Sequence, residues 1–213
     1  MLITMSREYG AGGAAVARAV AQRLGWRLID NQVVDEIARR AGLSPEEVAE
    51  REERGATFPE RLARALVAST PEVLGPVTID SPEVDEARLK QITEQVVADA
   101  CAAGDAVMVG RAAVAVIGRR DDAMHVRLVA SQAHRVRTVA ARLGISEDEA
   151  ERRVKNVDSH RARYHKQWYD RDWADPHSYH LVLQTEWLGL DRAAAIIVEA
   201  LPTHYRPKSP PAS

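Results

Sequence analysis

The amino-acid sequence predicts an α/β fold, in which a parallel β-sheet of about five strands lies between two layers of α-helices. Short apolar segments alternate along the chain with longer segments of helical periodicity, and this alternation is typical of parallel sheets. One short segment, residues 106–109, is apolar at every position, as expected for a strand buried on both faces. At the N-terminus an apolar run over residues 2–5 precedes a glycine-rich turn and an alanine-rich helical segment.

The individual elements follow from periodicity and from capping residues. Strands are predicted at residues 2–5, 26–30, 106–109, 126–130 and 179–184, and helices at 14–24, 32–41, 57–69, 83–103, 132–143, 147–165 and 191–201. Ser131 is the expected cap of the helix that follows it, and Ser146 with Glu149 forms a capping box. The proline-rich residues 202–213 have no periodicity, so we expect a mobile tail after a single domain of residues 1–201.

The overall charge of the chain is close to neutral. With 29 basic and 31 acidic residues among 213, the formal net charge is −2, so no global field favours nucleic acid or a membrane as partner. A single cysteine, Cys101, excludes a disulfide framework and fits a reducing cytoplasm. Neither a signal peptide nor an apolar stretch of about 18 residues is visible, so we expect a cytoplasmic protein.

Residues 6–13, with the sequence S-R-E-Y-G-A-G-G, connect the first predicted strand to the first predicted helix. Glycines allow backbone N–H groups to approach an anion closely, and a helix N-terminus adds about half a positive charge. Such a loop favours a phosphate, and we predict that a nucleotide binds here.

A dinucleotide-binding fingerprint is one interpretation of this loop. Gly10, Gly12 and Ala15 fit the pattern G-x-G-x-x-G/A, and Asp30 lies where an acidic residue would hold a ribose. In that fingerprint the first glycine leaves the strand directly, whereas residues 6–9 intervene here. The longer loop favours the phosphate-wrapping P-loop.

The P-loop pattern is itself incomplete. After Gly12 a P-loop continues with lysine, which reaches the outer phosphates, and with a hydroxyl residue for Mg²⁺. This chain has Gly13, Ala14 and Ala15 instead, and it has no lysine before position 90. Because a cation for the phosphates must then come from an arginine or from elsewhere in the fold, we predict that Arg7 takes this role.

Three segments of the chain resemble one known family. Residues 2–13 are close to I-T-I-S-R-E-Y-G-S-G-G, the typical N-terminus of the cytidylate kinase-like branch of the P-loop nucleoside-monophosphate kinases. Gly110-Arg111, after the third strand, and the pair Asp158 and Arg161 are similar to further motifs of that family. The resemblance extends over residues 1–201 and is weakest in residues 45–85.

The resemblance implies a P-loop three-layer domain with a flap at residues 31–85 and a lid at residues 150–178. It implies ATP and Mg²⁺ as cofactors, and a nucleoside monophosphate, cytidylate first, as the acceptor of the γ-phosphoryl group. A nucleotide and a small phosphorylated acceptor are thus the expected partners, and a homo-oligomer is left open.

The site residues follow from the loop and from the family motifs. Nucleotide binding is assigned to Ser6, Arg7, Gly10, Ala11, Gly12, Gly13 and Ala14. Arg111 is expected to grip the acceptor phosphate, and Asp30 either faces the acceptor or caps the next helix. The catalytic set is Arg7 with Asp158 and Arg161, which share one face of a helix at i and i+3, and Arg163 is a secondary candidate.

Departures from the P-loop pattern and from the family leave the activity open. The P-loop lysine is missing, Ala14-Ala15 stand where many family members have Arg-Glu, and Ala112 stands where true cytidylate kinases have an aspartate after Gly110-Arg111. The alternative to an active kinase is therefore a catalytically silent nucleotide-binding or regulatory module with a degenerate P-loop.

Two further groups of side chains have competing interpretations. The aromatic residues near the end of the lid could stack on nucleic-acid bases, but a packed lid or an interface is favoured for Trp168, Tyr169 and Trp173. No metal-ligand spacing surrounds His134, His160 or His165, and no metal site is predicted in the chain.

Overall fold

The structure is a computed structural model that describes residues 1–29, 82–110 and 112–202. Its strands are β1 (Leu2–Arg7), β2 (Arg27–Ile29), β3 (Ala106–Val109), β4 (Ala123–Val129) and β5 (Leu181–Gln184). Its helices are α1 (Gly13–Leu24), α2 (Pro82–Ala102), α3 (Ala113–Ile117), α4 (Gln132–Leu143), α5 (Glu147–Tyr169), α6 (Thr185–Leu188) and α7 (Leu190–Ala200). A short 3₁₀ turn spans Pro176–Ser178.

The five strands form one sheet in the order β2-β3-β1-β4-β5, and all neighbouring pairs are parallel. β1 lies at the centre, where Met5 is beside Val109 of β3 and Val126 of β4. The predicted α/β fold with a parallel sheet is confirmed. Its strand order differs from the 3-2-1-4-5-6 order of dinucleotide-binding domains, and the carboxyl ends of its strands meet at one edge, where such sheets bind ligands.

Alternate side chains of the strands enter two apolar layers, one on each face of the sheet. One buried cluster joins Ile3 and Met5 to residues of α1 and α7, among them Val16, Val20 and Ile197. A second buried cluster joins Leu2 and Met108 to residues of α2 and α3, among them Val97 and Ala113. β1 is therefore fixed from both faces, and this fixes the loop that follows it.

Helices α4 and α5 form a hairpin with its own small core. Val139, Ala150 and Val154 are fully buried in it, and Tyr9 of the loop after β1 packs against the same cluster. Ser131 and Ser146 cap the two helices, each accepting the N–H group three residues later, as the sequence predicts. The hairpin is thus attached directly to the predicted nucleotide loop.

Several bounds differ from those predicted. α5 continues to Tyr169 rather than 165, β4 begins at Ala123 rather than 126, and β5 begins at Leu181 rather than 179. The short helices α3 and α6 were not predicted, since four or five residues are too few to show helical periodicity.

Some predictions concern residues outside the described ranges. The flap at residues 31–85 lies outside them except for residues 82–85, which begin α2. The predicted helices at 32–41 and 57–69 and the tail beyond Pro202 lie outside them entirely. Among the described residues no helix is both long and apolar enough to cross a bilayer.

Candidate active site

The loop after β1 ends at Gly12, whose left-handed backbone (φ 79°) begins α1. Gly12 has no side chain that could cap the helix, and the first turn of α1 carries no acidic residue. Ala14 and Ala15, in that turn, are exposed. No side chain of this helix end competes for its first N–H groups, and helix N-termini favour anions.

The side chain of Arg7, the last residue of β1, lies across the start of α1. A methyl group placed on Gly13 would lie 2.6 Å from Cγ and 2.9 Å from Cβ of Arg7, so the aliphatic stem lies directly on Gly13. A methyl group placed on Gly110, one residue beyond β3, would overlap Nη1 of the same guanidinium. The Arg7 side chain therefore extends from the helix start to the carboxyl end of β3.

Asp158 and Arg161 of α5 form hydrogen bonds with the backbone of the same loop. One Asp158 oxygen accepts the Tyr9 backbone N–H at 2.9 Å, and the other accepts Arg135 Nη1 at 2.6 Å. Arg161 Nη1 donates to the Arg7 carbonyl at 2.9 Å and lies 3.8 Å from Asp158. The structure thus brings the predicted pair together, in contact with the loop backbone.

Glu8 forms a second attachment behind the loop. Its Oε2 accepts the Ala130 N–H at 3.1 Å and lies 3.3 Å from Arg135 Nε, while its Oε1 lies 3.8 Å from Arg127 Nη2. Arg127 and Arg135 are both buried, at 4% and 9% exposure. A buried network of charges therefore ties the loop to β4, α4 and α5.

The residues that form β1, the glycine loop and the attached helical hairpin all lie within a sequence match to one known family. The sequence profile described as the cytidylate kinase-like family matches residues 2–187. The chain belongs to the cytidylate kinase-like family. The resemblance inferred from the loop and from the motifs at residues 110–111 and 158–161 is confirmed, although no curated protein sequence matches the chain.

Solved structures share the fold of this cytidylate kinase-like protein. An uncharacterized protein from Eubacterium ventriosum ATCC 27560 superposes with a TM-score of 0.64 at 18% identity, covering 93% of this chain and 96% of its own. A sugar kinase from Janibacter sp. HTCC2649 gives a TM-score of 0.53 at 12% identity, covering 97% and 98%. TT1252 from Thermus thermophilus gives 0.50 at 20% identity, covering 95% and 98%. At these identities the likeness establishes the kinase fold.

Ser6 of this cytidylate kinase-like chain is buried behind the loop. Its Oγ accepts the indole N–H of Trp173 at 2.9 Å and lies 3.3 Å from the Tyr179 hydroxyl. Trp173 is only 6% exposed, and its ring stacks under the Arg127 guanidinium, 4.2 Å from Cζ to centroid. Trp173 is therefore packed, as the packed-lid alternative predicts, and its ring is not available for stacking on a base.

The two predicted acceptor residues, Arg111 and Asp30, lie outside the described residues. The described chain before them ends at Ile29, the last residue of β2, and at Gly110, which follows β3. Their roles as acceptor ligands stay predictions, and so do the catalytic roles of Arg7, Asp158 and Arg161.

Sequence reasoning missed the residues that hold the loop. Glu8 pairs with Arg127 and Arg135, which lie 119 or more positions further along the chain. No local sequence pattern marks pairs that are so far apart. Glu8 did lie within the family motif of residues 2–13, which was the one signal that could have singled it out.

Two buried histidines have lowered pKa values. Burial, together with the nearby charges of Arg127, Arg171 and Arg161, lowers the pKa of His165 on α5 to about 4. His165 is therefore neutral at physiological pH. Burial also lowers the pKa of His125, whose ring lies between Thr4 Oγ1 and the Gly118 carbonyl. Because a carbonyl only accepts, His125 Nε2 carries the proton and Nδ1 accepts the Thr4 hydroxyl.

The start of α1 lacks the side-chain oxygen with which a P-loop holds Mg²⁺. Hard cations take oxygen ligands, and Ala14 and Ala15 offer none from their side chains. Both Asp158 oxygens and Glu8 Oε2 already accept N–H donors. Residues 1–29, 82–110 and 112–202 contain no group of three or more His, Cys, Asp or Glu side chains that could hold a metal ion.

Proposed function

We propose that the chain binds ATP at residues 6–13 and transfers its γ-phosphoryl group to a small phosphorylated acceptor. A nucleoside monophosphate such as CMP is the first candidate, because the family implies it. The observation that carries the proposal is the course of Arg7 from Gly13 to Gly110. It extends one cationic side chain from the helix start, which favours donor phosphates, to the strand end that precedes Arg111.

Phosphoryl transfer suits such a site because it requires alignment and charge neutralisation more than covalent help from the protein. An acceptor oxygen bonds to the γ-phosphorus while the bond to the β,γ-bridging oxygen breaks, and ADP leaves. The planar guanidinium of Arg7 can hold two phosphate oxygens at once. Arg111 would hold the acceptor phosphate.

In this proposal Asp158 and Arg161 position the loop, in addition to any contact that they make with the substrate. Their bonds to the Tyr9 N–H and the Arg7 carbonyl fix the loop on both sides of Glu8. A loop that is fixed before the nucleotide arrives does not have to be ordered on binding, and this preserves binding energy.

Mg²⁺ would enter with the triphosphate, since Ala14 and Ala15 offer it no hydroxyl where a P-loop has one. Reaction with ATP and a monophosphate fits the cytoplasmic location expected from the sequence. The oligomeric state stays a prediction.

A coupled assay that follows ADP release tests the proposal with ATP, Mg²⁺ and each of the nucleoside monophosphates. We expect turnover with at least one acceptor, and a loss of that turnover on Arg111→Ala. Absence of ADP release with every acceptor at high enzyme concentration would refute the enzymatic function.

The rival function is a catalytically silent nucleotide-binding module, and one observation favours it. Ala14 and Ala15 offer no hydroxyl for Mg²⁺, and both Asp158 oxygens already accept N–H groups. The rival predicts a calorimetric signal for ATP without ADP release under any of the assay conditions. Release of ADP that depends on acceptor would exclude it.

A further inference from the structure

Two departures from the P-loop pattern concern the same pair of positions. In G-x-x-x-x-G-K the first glycine and the lysine are six residues apart. If Gly12 is the second glycine of the pattern, the first falls on Arg7 and the lysine on Gly13. The chain therefore has a cationic residue where the pattern has glycine, and glycine where the pattern has the cation.

The structure shows that these two positions are in contact. The Cβ, Cγ and Cδ atoms of Arg7 occupy the space into which a side chain on Gly13 would project, with Cγ 2.6 Å from the position of a Gly13 Cβ. A side chain at position 13 and the observed course of Arg7 exclude each other.

The backbone of Gly13 does not require glycine. Gly13 is the first residue of α1 and does not have the positive φ of Gly12. Glycine is less favourable than alanine in a helix, so its presence here is explained by the space that Arg7 needs. Gly110 combines a positive φ of 75° with the same close approach to the Arg7 guanidinium.

We propose that the cation and the first glycine of the phosphate loop have exchanged places in this chain. Arg7 supplies the positive charge for the phosphates from the end of β1, and Gly13 and Gly110 are positioning residues that leave a path for its side chain. The inference rests on the proposed function, because it takes ATP as the ligand. It explains the missing lysine by an exchange of positions, and not by a loss of function.

The exchange has a consequence for ligand preference. The Arg7 stem lies on Gly13 at the start of α1, and its guanidinium lies beside Gly110, which follows β3. With the inner phosphates at the helix start, this guanidinium would meet the outermost phosphate, so the preference for ATP over ADP should depend on both Arg7 and Gly13.

The exchange is tested by reversing it. Arg7→Gly with Gly13→Lys recreates G-x-x-x-x-G-K over residues 7–13, and calorimetry measures the dissociation constants for ATP and ADP. Arg7→Gly removes the charge-assisted bonds to the phosphates, and Gly13→Lys displaces the Arg7 side chain that forms them. We therefore expect each substitution to weaken ATP binding about tenfold or more. The double variant should regain ATP binding to within roughly fivefold of the wild type. Ala14→Lys adds the same charge one exposed position further on and should not rescue Arg7→Gly.

Gly13→Lys alone binding ATP more tightly than the wild type would overturn the inference, because position 13 would then accept lysine beside Arg7. A double variant that binds ATP no more tightly than Arg7→Gly alone would also overturn the inference.

A second cycle separates failure of this inference from failure of the proposed function, because it needs no nucleotide. Gly13→Ala should lower the denaturant midpoint in the wild type and raise it in the Arg7→Ala background, where the space is vacant. Gly110→Ala should be more damaging than Gly25→Ala, since both glycines have positive φ but nothing lies within 4 Å of a Cβ on Gly25. Equal effects of Gly13→Ala in the two backgrounds would overturn the inference even if ATP binds. If the two backgrounds differ but ATP does not bind, the path of Arg7 stands and the proposed function fails.

Discussion

The glycine loop has two sides that differ in how their polar groups are satisfied. The front is formed by Gly12 and Gly13, where α1 begins, and the back by residues 7–9. At the front, α1 begins without a capping side chain, and the stem of Arg7 lies over Gly13. At the back, the Tyr9 N–H and the Arg7 carbonyl are bonded to α5, and the Glu8 carboxylate accepts the Ala130 N–H after β4 and pairs with Arg135 of α4. Bonds to the rest of the fold thus hold residues 7–9, whereas no side chain caps the start of α1, where we propose that phosphates bind.

The comparison separates two kinds of residue within one family motif. Asp158 and Arg161 were predicted together with Arg7 as catalytic, yet in the structure they bond to the backbone that carries Arg7. We therefore expect substitutions at the back to change folding stability first, and substitutions at the front to change ligand binding first.

The largest expected effect is at Asp158. Asp158→Ala leaves the Tyr9 N–H without its acceptor and removes one of the two carboxylates that pair with Arg135, the other being Glu8. Breaking a largely buried ion pair costs roughly 3–5 kcal/mol; the remaining Glu8 partner and the exposure of the pair, 11% and 18%, favour the lower end of that range. Denaturant unfolding measures the loss. Glu151→Ala removes an acidic side chain of the same helix whose contacts with Lys155 and Gln132 are at the surface, and it should leave the midpoint near the wild-type value.

Asp158→Asn sharpens this prediction, because an amide oxygen can still accept the Tyr9 N–H while the charge opposite Arg135 is lost. Its stability should lie between those of the wild type and Asp158→Ala. An Asp158→Ala protein that unfolds like the wild type but no longer turns over would place Asp158 at the acceptor instead.

The next effect is a dependence of stability on pH that arises from His165. Its pKa is about 4 in the folded protein, against an ordinary value of 6.5. Between these values the unfolded chain binds more protons, so the stabilising effect of neutral His165 is complete above pH 6.5 and is lost as the pH falls towards 4. The loss amounts to roughly 3 kcal/mol at most.

Unfolding free energies measured from pH 7.5 to 4.5 test this for the wild type and for His165→Phe, which keeps an aromatic ring beside Tyr164 and Tyr169. The difference between the two proteins should shift in favour of the variant as the pH falls. Parallel pH profiles would show that His165 does not titrate as described.

A smaller effect is expected at Ser6. Ser6→Ala removes the acceptor of the buried Trp173 indole N–H, and an unsatisfied buried donor costs about 1–3 kcal/mol. Thermal unfolding measures the loss, with Ser178→Ala as an exchange of the same residue type away from the loop. A decrease in ATP affinity larger than the decrease in stability would show that the Ser6 hydroxyl also serves the front of the loop.

The smallest effect is expected at Lys166. Its ion pair with Asp170 is short, at 2.5 Å, but the two side chains are 69% and 89% exposed. Exposed ion pairs contribute little because water and salt screen them. Lys166→Ala should therefore unfold at the wild-type midpoint in low and in moderate salt, and a clear decrease at low salt would contradict this.

The fold could be predicted because its signals are local. A fully apolar strand such as β3 and the serine caps of α4 and α5 are visible in a few consecutive residues. The end of α5 could not be predicted, because the chain has no glycine between positions 144 and 189 and the helix ends instead at Asp170 in a left-handed conformation.

The candidate site was predictable only in part. Arg7 could be singled out because the early part of the chain lacks lysine, but its contact with Gly13 follows from a side-chain path that sequence does not reveal. The bonds that Asp158 forms with Arg135 and Tyr9 bridge 23 and 149 positions, and pairs so far apart leave no periodic pattern.

Calorimetric titration of ATP and ADP into the wild type, Arg7→Ala and Arg18→Ala tests the central claim most directly. Charge-assisted hydrogen bonds contribute roughly 1.5–3 kcal/mol, so Arg7→Ala should weaken ATP binding about ten- to a hundredfold and ADP binding less. Arg18→Ala removes an exposed arginine of α1, the helix that follows the loop, and should bind both nucleotides like the wild type. An Arg7→Ala protein that binds ATP as tightly as the wild type would contradict the claim that Arg7 is the phosphate cation of this loop.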